Sequence, residues 1–338
     1  MLSIRTAFLR ALLDELRARG HDPASLAACS GVASDDLEAM ATASLPALAD
    51  EIAERLGEAS LGIALAVKAP WRLPEPGRGL AAGSVAVAPV EASPPSLAPA
   101  APLSPTATLA DALGRLAALS GWADPRARFT FELAETGGVL AFHVAGAPAG
   151  LGRHGNEHIL VAALALARTL TGRDLLPRRA WLANAEPTDA SAIRTALGCA
   201  DIIFGAGDSG LVLDADALAA PVVIALPELP ANAPLDLVAA LRERLKPTLR
   251  VGVTPVGAMA RALALSTRTL QRRLGELGTS YGDVLDDLRR DLARIRLEQR
   301  DLSVAAAARQ LGYSDSRAFI RAFRRWTGAT PGAYQVRA

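Results

Sequence analysis

The chain has 338 residues, 51% of them hydrophobic, which is enough material for two domains with real cores. Its net charge of +1 hides a split: residues 241–338 carry 19 Arg or Lys against 9 Asp or Glu, and residues 1–240 carry 17 against 26. A basic block on an acidic body calls for a polyanion partner, two isolated cysteines (Cys29 and Cys199) exclude a disulfide framework or a cysteine-zinc site, and no apolar run is long enough to span a membrane.

From the N-terminus, Phe8, Leu9, Leu12, Leu13 and Leu16 recur at helical spacing among charged residues. That pattern is an amphipathic helix rather than a signal peptide, so a cytoplasmic protein is expected. Short helices are predicted at Ala24–Cys29, Ser34–Met40 and Leu45–Leu56. Residues 81–106 hold Pro89, Pro94, Pro95, Pro99, Pro102 and Pro105, a density that excludes a helix interior and leaves a loop with a short edge strand at Ser84–Ala88. A helix follows at Leu109–Leu119. Arg128–Leu133 and Val139–Val144 alternate as a β-hairpin, with Gly137-Gly138 placed at its turn. Asn156–Leu170 is an apolar helix ending near Gly172. Strands at Arg179–Ala183 and Gly210–Leu213 flank a helix at Ala190–Leu197. Residues 1–226 therefore read as an α+β domain. Proline-rich residues 227–236 read as a linker, and residues 237–336 as an all-α domain.

The basic domain contains an internal repeat. Ala260-Arg261-Ala262-Leu263 recurs as Ala308-Arg309-Gln310-Leu311, and Ser266 recurs as Ser314. After a one-residue insertion, Arg268, Leu270, Arg272 and Leu274 recur as Arg317, Phe319, Arg321 and Phe323. Each copy reads as a short helix, a tight turn, a Ser cap and a second helix, at about 256–275 and 304–327. On each second helix the apolar pair, four residues apart, faces inward, and the arginine pair shares another face. Apolar anchors behind long donors suit a recognition helix in a major groove, and Gln271 adds an amide that can read adenine. A solvated basic face on an ordinary bundle is the blander reading, which the duplication in a domain of net charge +10 weighs against. A helix of roughly twenty residues, Tyr281–Arg300, joins the copies and spans on the order of 30 Å, which compares with ~34 Å between successive grooves on one face of DNA.

Other constellations carry less. His154 and His158 could share a helical face as metal ligands, but further ligands are not evident and a surface helix start is the plainer reading. Trp71, Trp122 and Trp181 could line a ligand pocket, with core packing the commoner role. Arg178-Arg179 reads as a solvated pair rather than an anion site. Gly205-x-Gly207-x-x-Gly210 imitates a dinucleotide fingerprint but leads into a strand. No nucleophile elbow or triad is present, so no enzyme, cofactor or metal is expected.

The segment Thr254–Tyr334 resembles the AraC/XylS family DNA-binding domain. The resemblance rests on Leu265–Leu274, Gly278–Tyr281, Leu311–Ser314 and above all Ala318–Gly328 followed by Thr330-Pro331 and Tyr334. It implies base-facing roles for Arg268, Gln271, Arg272, Ser316, Arg317 and Arg321, and phosphate contacts for Thr267, Arg273, Arg324 and Arg325. One departure is Ala264, where many members have a turn glycine, as Gly312 is in the second copy. If that position needs a positive φ, alanine there costs about 1 kcal/mol. The N-terminal part is similar to the sensor domain of ornithine- and arginine-responsive members through Leu61–Leu65, Ser104–Leu113 and a hairpin pattern from Phe204 to Asp214, while the proline-rich loop departs from it. The expected function is sequence-specific transcription regulation modulated by an unidentified effector. Double-stranded DNA, RNA polymerase and a second copy of the chain are the expected partners. The alternatives are an unliganded regulator whose N-terminal domain only dimerises or docks a partner, and, more remotely, an enzyme fused to a DNA-binding tail. A closed cavity between the β layer and the Asn156–Leu170 helix would distinguish sensing from docking.

Overall fold

The computed structural model describes residues 4–21, 45–68, 107–123, 127–134, 136–147, 149–224, 237–252, 255–297, 302–336. The helices anticipated at 24–29 and 34–40, the 81–106 loop with its edge strand, Trp71 and the 227–236 linker lie outside these residues.

Three helices open the described part: α1 (Ile4–Ala18), α2 (Leu45–Leu56) and α3 (Leu61–Lys68). Next come α4 (Leu109–Ala123), the strands β1 (Ala127–Ala134) and β2 (Gly137–Val144), and α5 (Gly152–Thr171). Strands β3 (Arg179–Leu182), β4 (Ile202–Phe204) and β5 (Ser209–Asp214) follow, with α6 (Ser191–Leu197) between β3 and β4 and the short α7 (Ala215–Leu218) after β5. The strands form one sheet in the order β1-β2-β5-β3-β4, antiparallel except for the parallel pair β3–β4.

Two details differ from the sequence reading. Gly137 and Gly138 lie inside β2, paired with Ala134 and Leu133, and are not the turn. They are glycines because β5 and α7 crowd them: a Cβ on Gly137 would sit 2.4 Å from the Leu213 carbonyl oxygen, and one on Gly138 2.8 Å from a Leu218 methyl. Nor do β4 and β5 form a hairpin, because β3 lies between them.

Strand alternation splits the sheet's side chains between two faces. Phe129, Leu140, Phe142, Leu182, Leu211 and Leu213 share a core with α1, α2, α3 and α5. There α3 and α5 touch backbone to backbone, since a Cβ on Gly62 would lie 2.0 Å from the His154 carbonyl oxygen. This close approach buries His154 and His158, correcting the surface reading of that helix start. The His158 ring packs 4.8 Å from Phe8. Helix α5 ends at Gly172 in the left-handed conformation, as expected. Apolar residues of α5 and of the sheet belong to one buried cluster.

The opposite face bears Val139, Ala141, Trp181 and Val212, which join the core of the C-terminal helices. These are α8 (Leu237–Leu245), a 3-10 turn at Lys246–Val251, α9 (Val256–Ala262), α10 (Thr267–Glu276), α11 (Tyr281–Leu297), α12 (Val304–Gln310), α13 (Ser316–Thr327) and α14 (Pro331–Val336). The sheet is thus covered on both sides, which is why seven of the eight residues of β2 are buried. No helix of the described residues is long and apolar enough to cross a membrane.

Candidate nucleic-acid interface

Each copy of the repeat is a seven-residue helix (α9, α12) followed by a tight turn and a longer helix (α10, α13). Ser266 starts α10, its Oγ accepting from Thr269 N at 3.0 Å. The corresponding cap of α13 is Asp315, whose Oδ1 accepts from Ala318 N at 2.8 Å, and not the predicted Ser314. The one-residue insertion moves the cap along by one, and a carboxylate at a helix N-terminus also opposes the helix dipole favourably. Hydrogen bonds from Ala318 and Arg317 backbone N–H hold the Asp315 carboxyl below its ordinary range.

The turns test the Ala264 departure. Ala264 has φ +55° and Gly312 φ +78°, so both turns use the left-handed region. A Cβ at Gly312 would also meet the Leu249 carbonyl oxygen at 2.3 Å. Ala264 is exposed and meets only the backbone penalty. Ala264→Gly is therefore expected to stabilise the protein by about 1 kcal/mol, partly offset by the extra unfolded-state freedom of glycine. Thermal melting would check it, and a lowered Tm would contradict the strain.

Leu270, Leu274, Phe319 and Phe323 are fully buried. On α13 the ring of Phe323 meets Phe319 at 5.7 Å and Tyr334 of α14 at 5.4 Å. These contacts fix which face of each longer helix turns outward. On the outer face of α10, Arg268, Gln271 and Arg272 are exposed, and Thr267 and Arg273 are half-buried. On α13, Arg317, Arg321, Arg324 and Arg325 are exposed and Ser316 is half-buried. Arg272 is paired with Glu276 one turn on, and Arg325 Nη2 reaches Asp286 of α11 at 2.7 Å. Arg268, Arg317, Arg321 and Arg324 have no ion pair with the described residues. The arrangement presents unpaired planar cations on two helix faces, a surface suited to bases and phosphates.

Helix α11 lies in sequence between the two copies and packs its polar face on the sheet. Arg242 of α8 donates from Nε and Nη2 to Glu132 Oε1 of β1 at 2.9 and 2.7 Å, and from Nη2 to Asp291 Oδ2 at 2.6 Å. Lys246 Nζ lies 2.7 Å from the other Glu132 oxygen. Thr130 Oγ1 joins His143 Nε2 (2.9 Å) to Asp291 Oδ2 (3.2 Å). Asp208, before β5, accepts from Arg294 at 2.7 and 3.1 Å and from Trp181 Nε1 at 2.9 Å, and lies 3.1 Å from Arg290. The Arg294 guanidinium lies 3.9 Å from the Trp181 ring. Burial opposes charge on both aspartates, yet Arg242 and His143 beside Asp291, and Arg290 and Arg294 beside Asp208, hold both carboxyls below their ordinary range. Burial likewise opposes charge on Arg242, but Glu132 and Asp291 keep its pKa above the usual value. The sheet also reaches α13 and α14: Gly207 N donates to Trp326 O at 3.1 Å, and the Arg179 guanidinium lies 4.1 Å from the Tyr334 ring.

Arg178-Arg179 is not a solvated pair. Arg179 is buried with its Nε 2.5 Å from Asp201, and Arg178 pairs with Asp214. Trp181 is core at the domain seam. Side chains of His143, Asp208 and Asp291 come close enough for a metal ion, but a cation there would meet three positive neighbours, Arg242 on Asp291 and Arg290 and Arg294 on Asp208. The polar seam was missed in the sequence. Its one signal is Arg128, Thr130, Glu132 and His143, the polar alternates of two strands.

Residues 259–337 match the family model for a helix-turn-helix domain. Residues 100–222 match that for the N-terminal arabinose-binding domain of AraC transcription regulators. The chain is 47% identical over 76 residues to the ornithine utilization regulator of Pseudomonas aeruginosa, covering 22% of each chain. It is 33% identical over 196 residues to the HTH-type transcriptional regulator VirS of Mycobacterium tuberculosis, covering 54% of this chain and 56% of that one. The chain therefore spans about half the length of VirS and about a fifth of the ornithine regulator. Among solved structures, the transcriptional regulator CdpR from Pseudomonas aeruginosa aligns over 97% of each chain at 20% identity, with a TM-score of 0.35.

Proposed function

We propose that this chain is an AraC-type transcription regulator and that it reads a single DNA duplex with α10 and α13 as recognition helices in adjacent major grooves. The matched families and relatives are transcription regulators and not enzymes. The observation that carries the reading is the duplicated pair of faces, apolar and buried behind, arginine-bearing and exposed in front. Residues 237–336 act as the DNA-binding domain, with helix-turn-helix units at α9–α10 and α12–α13 joined by α11, and residues 1–226 as the sensor or dimerisation domain. The 17 residues of α11 span about 25 Å. With the turns at its ends, that length suits a groove separation of ~34 Å.

Arg268, Gln271, Arg272, Ser316, Arg317 and Arg321 face the bases. Thr267, Arg273, Arg324 and Arg325 hold phosphates. Arg272 and Arg325 must share or release Glu276 and Asp286 to do so, which makes Arg317 and Arg321 the better-prepared readers. Arg321→Ala is expected to relax base preference at one position by about 1–3 kcal/mol, measured by competition binding over a library of single-base variants of the preferred site. Equal weakening on every sequence would show that Arg321 contacts only the backbone. Binding is also expected to fall steeply with salt. A homodimer and RNA polymerase are the partners this reading carries with it.

A further inference from the structure

Arg289 of α11 is buried and makes no ion pair with the described residues. A charge taken out of water needs other partners, and those it has among the described residues lie in the turn between α12 and α13. Its Nε donates to the Leu311 carbonyl oxygen at 3.0 Å. Leu311 is the C-cap of α12, the end at which the helix dipole favours a cation. The Arg289 guanidinium also lies 4.9 Å from the centre of the Tyr313 ring. That ring meets Phe319 at 5.5 Å and Trp326 at 6.4 Å, both on α13. A chain of contacts thus runs from α11 through the turn to the buried face of α13.

The first unit has no such chain. Leu265 stands where Tyr313 does and offers no ring. Among the described residues, no side chain of another element hydrogen-bonds to residues 263–265. Ala264 holds its left-handed φ there without the freedom of glycine. The outward faces differ as well: Arg272 of α10 is paired with Glu276, whereas neither Arg317 nor Arg321 has an ion pair with the described residues. A donor held in place rejects a wrong base, and one that can shift accommodates it. We infer that Arg289 is a positioning residue for α13, and that base discrimination is concentrated in the half-site that α13 reads, the α10 half-site being tolerant. The inference rests on the reading of α10 and α13 as recognition helices.

The test is competition binding of the full chain over all single-base variants of its preferred site. The positions relaxed by Arg317→Ala and Arg321→Ala mark the α13 half-site, and the other half lies one helical turn away. Single-base changes in the α13 half are expected to lower affinity roughly tenfold or more, and those in the α10 half less than about threefold. Arg289→Lys keeps the charge but loses the planar face and the Nε donor. It is expected to reduce the α13-half penalties to less than about threefold and to leave the α10 half unchanged. A merely structural role would weaken both halves alike. Tyr313→Leu, which removes the ring, is expected to act as Arg289→Lys does, and Tyr313→Phe, which keeps it, to match the parent. Circular dichroism and melting accompany each variant, and the Tyr313 pair carries the test if Arg289→Lys does not fold. Equal penalties in the two halves, larger ones in the α10 half, no position relaxed by either arginine variant, or α13-half penalties that survive Tyr313→Leu overturn the proposal. Sequence preference that is intact but symmetric overturns this proposal alone, whereas a parent with no sequence preference overturns the DNA reading and this proposal with it.

Discussion

Replacing Asp208 by alanine is expected to lower folding stability by about 3–5 kcal/mol, the range for removing one partner of a buried ion pair. The side chain of Asp208 is almost wholly buried, and it is the shared counter-ion of Arg290 and Arg294 and the acceptor for Trp181 Nε1. Its loss leaves two buried guanidinium groups short of a partner and an indole N–H unsatisfied. Urea unfolding followed by tryptophan fluorescence would measure the change. The double variant Asp208→Ala with Arg294→Met should recover part of the loss, because a buried charge leaves together with its counter-ion. A loss below about 1 kcal/mol, the usual yield of an exposed pair, would mean that the seam is open to water in solution.

The second large effect is on acid stability. Burial lowers the pKa of His158 from 6.5 to about 4, against a smaller opposing effect of its contact with the Gly62 carbonyl. An unfolded histidine takes up its proton below about pH 6.5, whereas the folded one stays neutral until about pH 4. Within that window the unfolded state binds more protons, so stability falls as pH falls, by about 3 kcal/mol in all. His154, lowered first by burial and then by Arg153, adds in the same direction. Asp208 and Asp291 have the opposite kind of shift. Their carboxyls are held low, so their contribution is intact above the unfolded carboxylate pKa and is lost only as pH drops below it. Acid destabilisation that starts well above pH 4 therefore belongs to the histidines of α5. Unfolding free energies from about pH 7 to about pH 4 should show a clearly shallower decline in His158→Gln than in the parent. Identical slopes would remove His158 as the cause.

The helices were legible because burial sets their period. Leu270, Leu274, Phe319 and Phe323 announced both longer helices of the basic domain, and Gly172 announced the end of α5. The strands were legible for the same reason, but what their polar alternates meet was not. Thr130, Glu132 and His143 are polar alternates whose local pattern names no partner, yet they meet Asp291, Arg242 and Arg290, which are distant in sequence. Alternation reports that two faces differ and says nothing of what covers the polar one. The misplaced glycines are a similar case: Gly137 and Gly138 carry a turn-like composition, but the demand for no side chain comes from β5 and α7, which the local sequence does not contain. Ala264 is the converse, where the resemblance to the family and the glycine in the second copy together pointed to a backbone constraint, and the structure has a positive φ there.

The ionic seam has a consequence for recombination. A chain of two parts invites chimeras, in which one N-terminal half is spliced to another C-terminal half. Here the halves share a lock whose key is divided: Glu132, His143 and Asp208 on one side, and Arg242, Arg290, Asp291 and Arg294 on the other. A graft cut between residues 224 and 237 would separate them. It would set buried charges against a surface never shaped for them, unless those seven positions travelled together or were replaced as a set by apolar residues of matching volume.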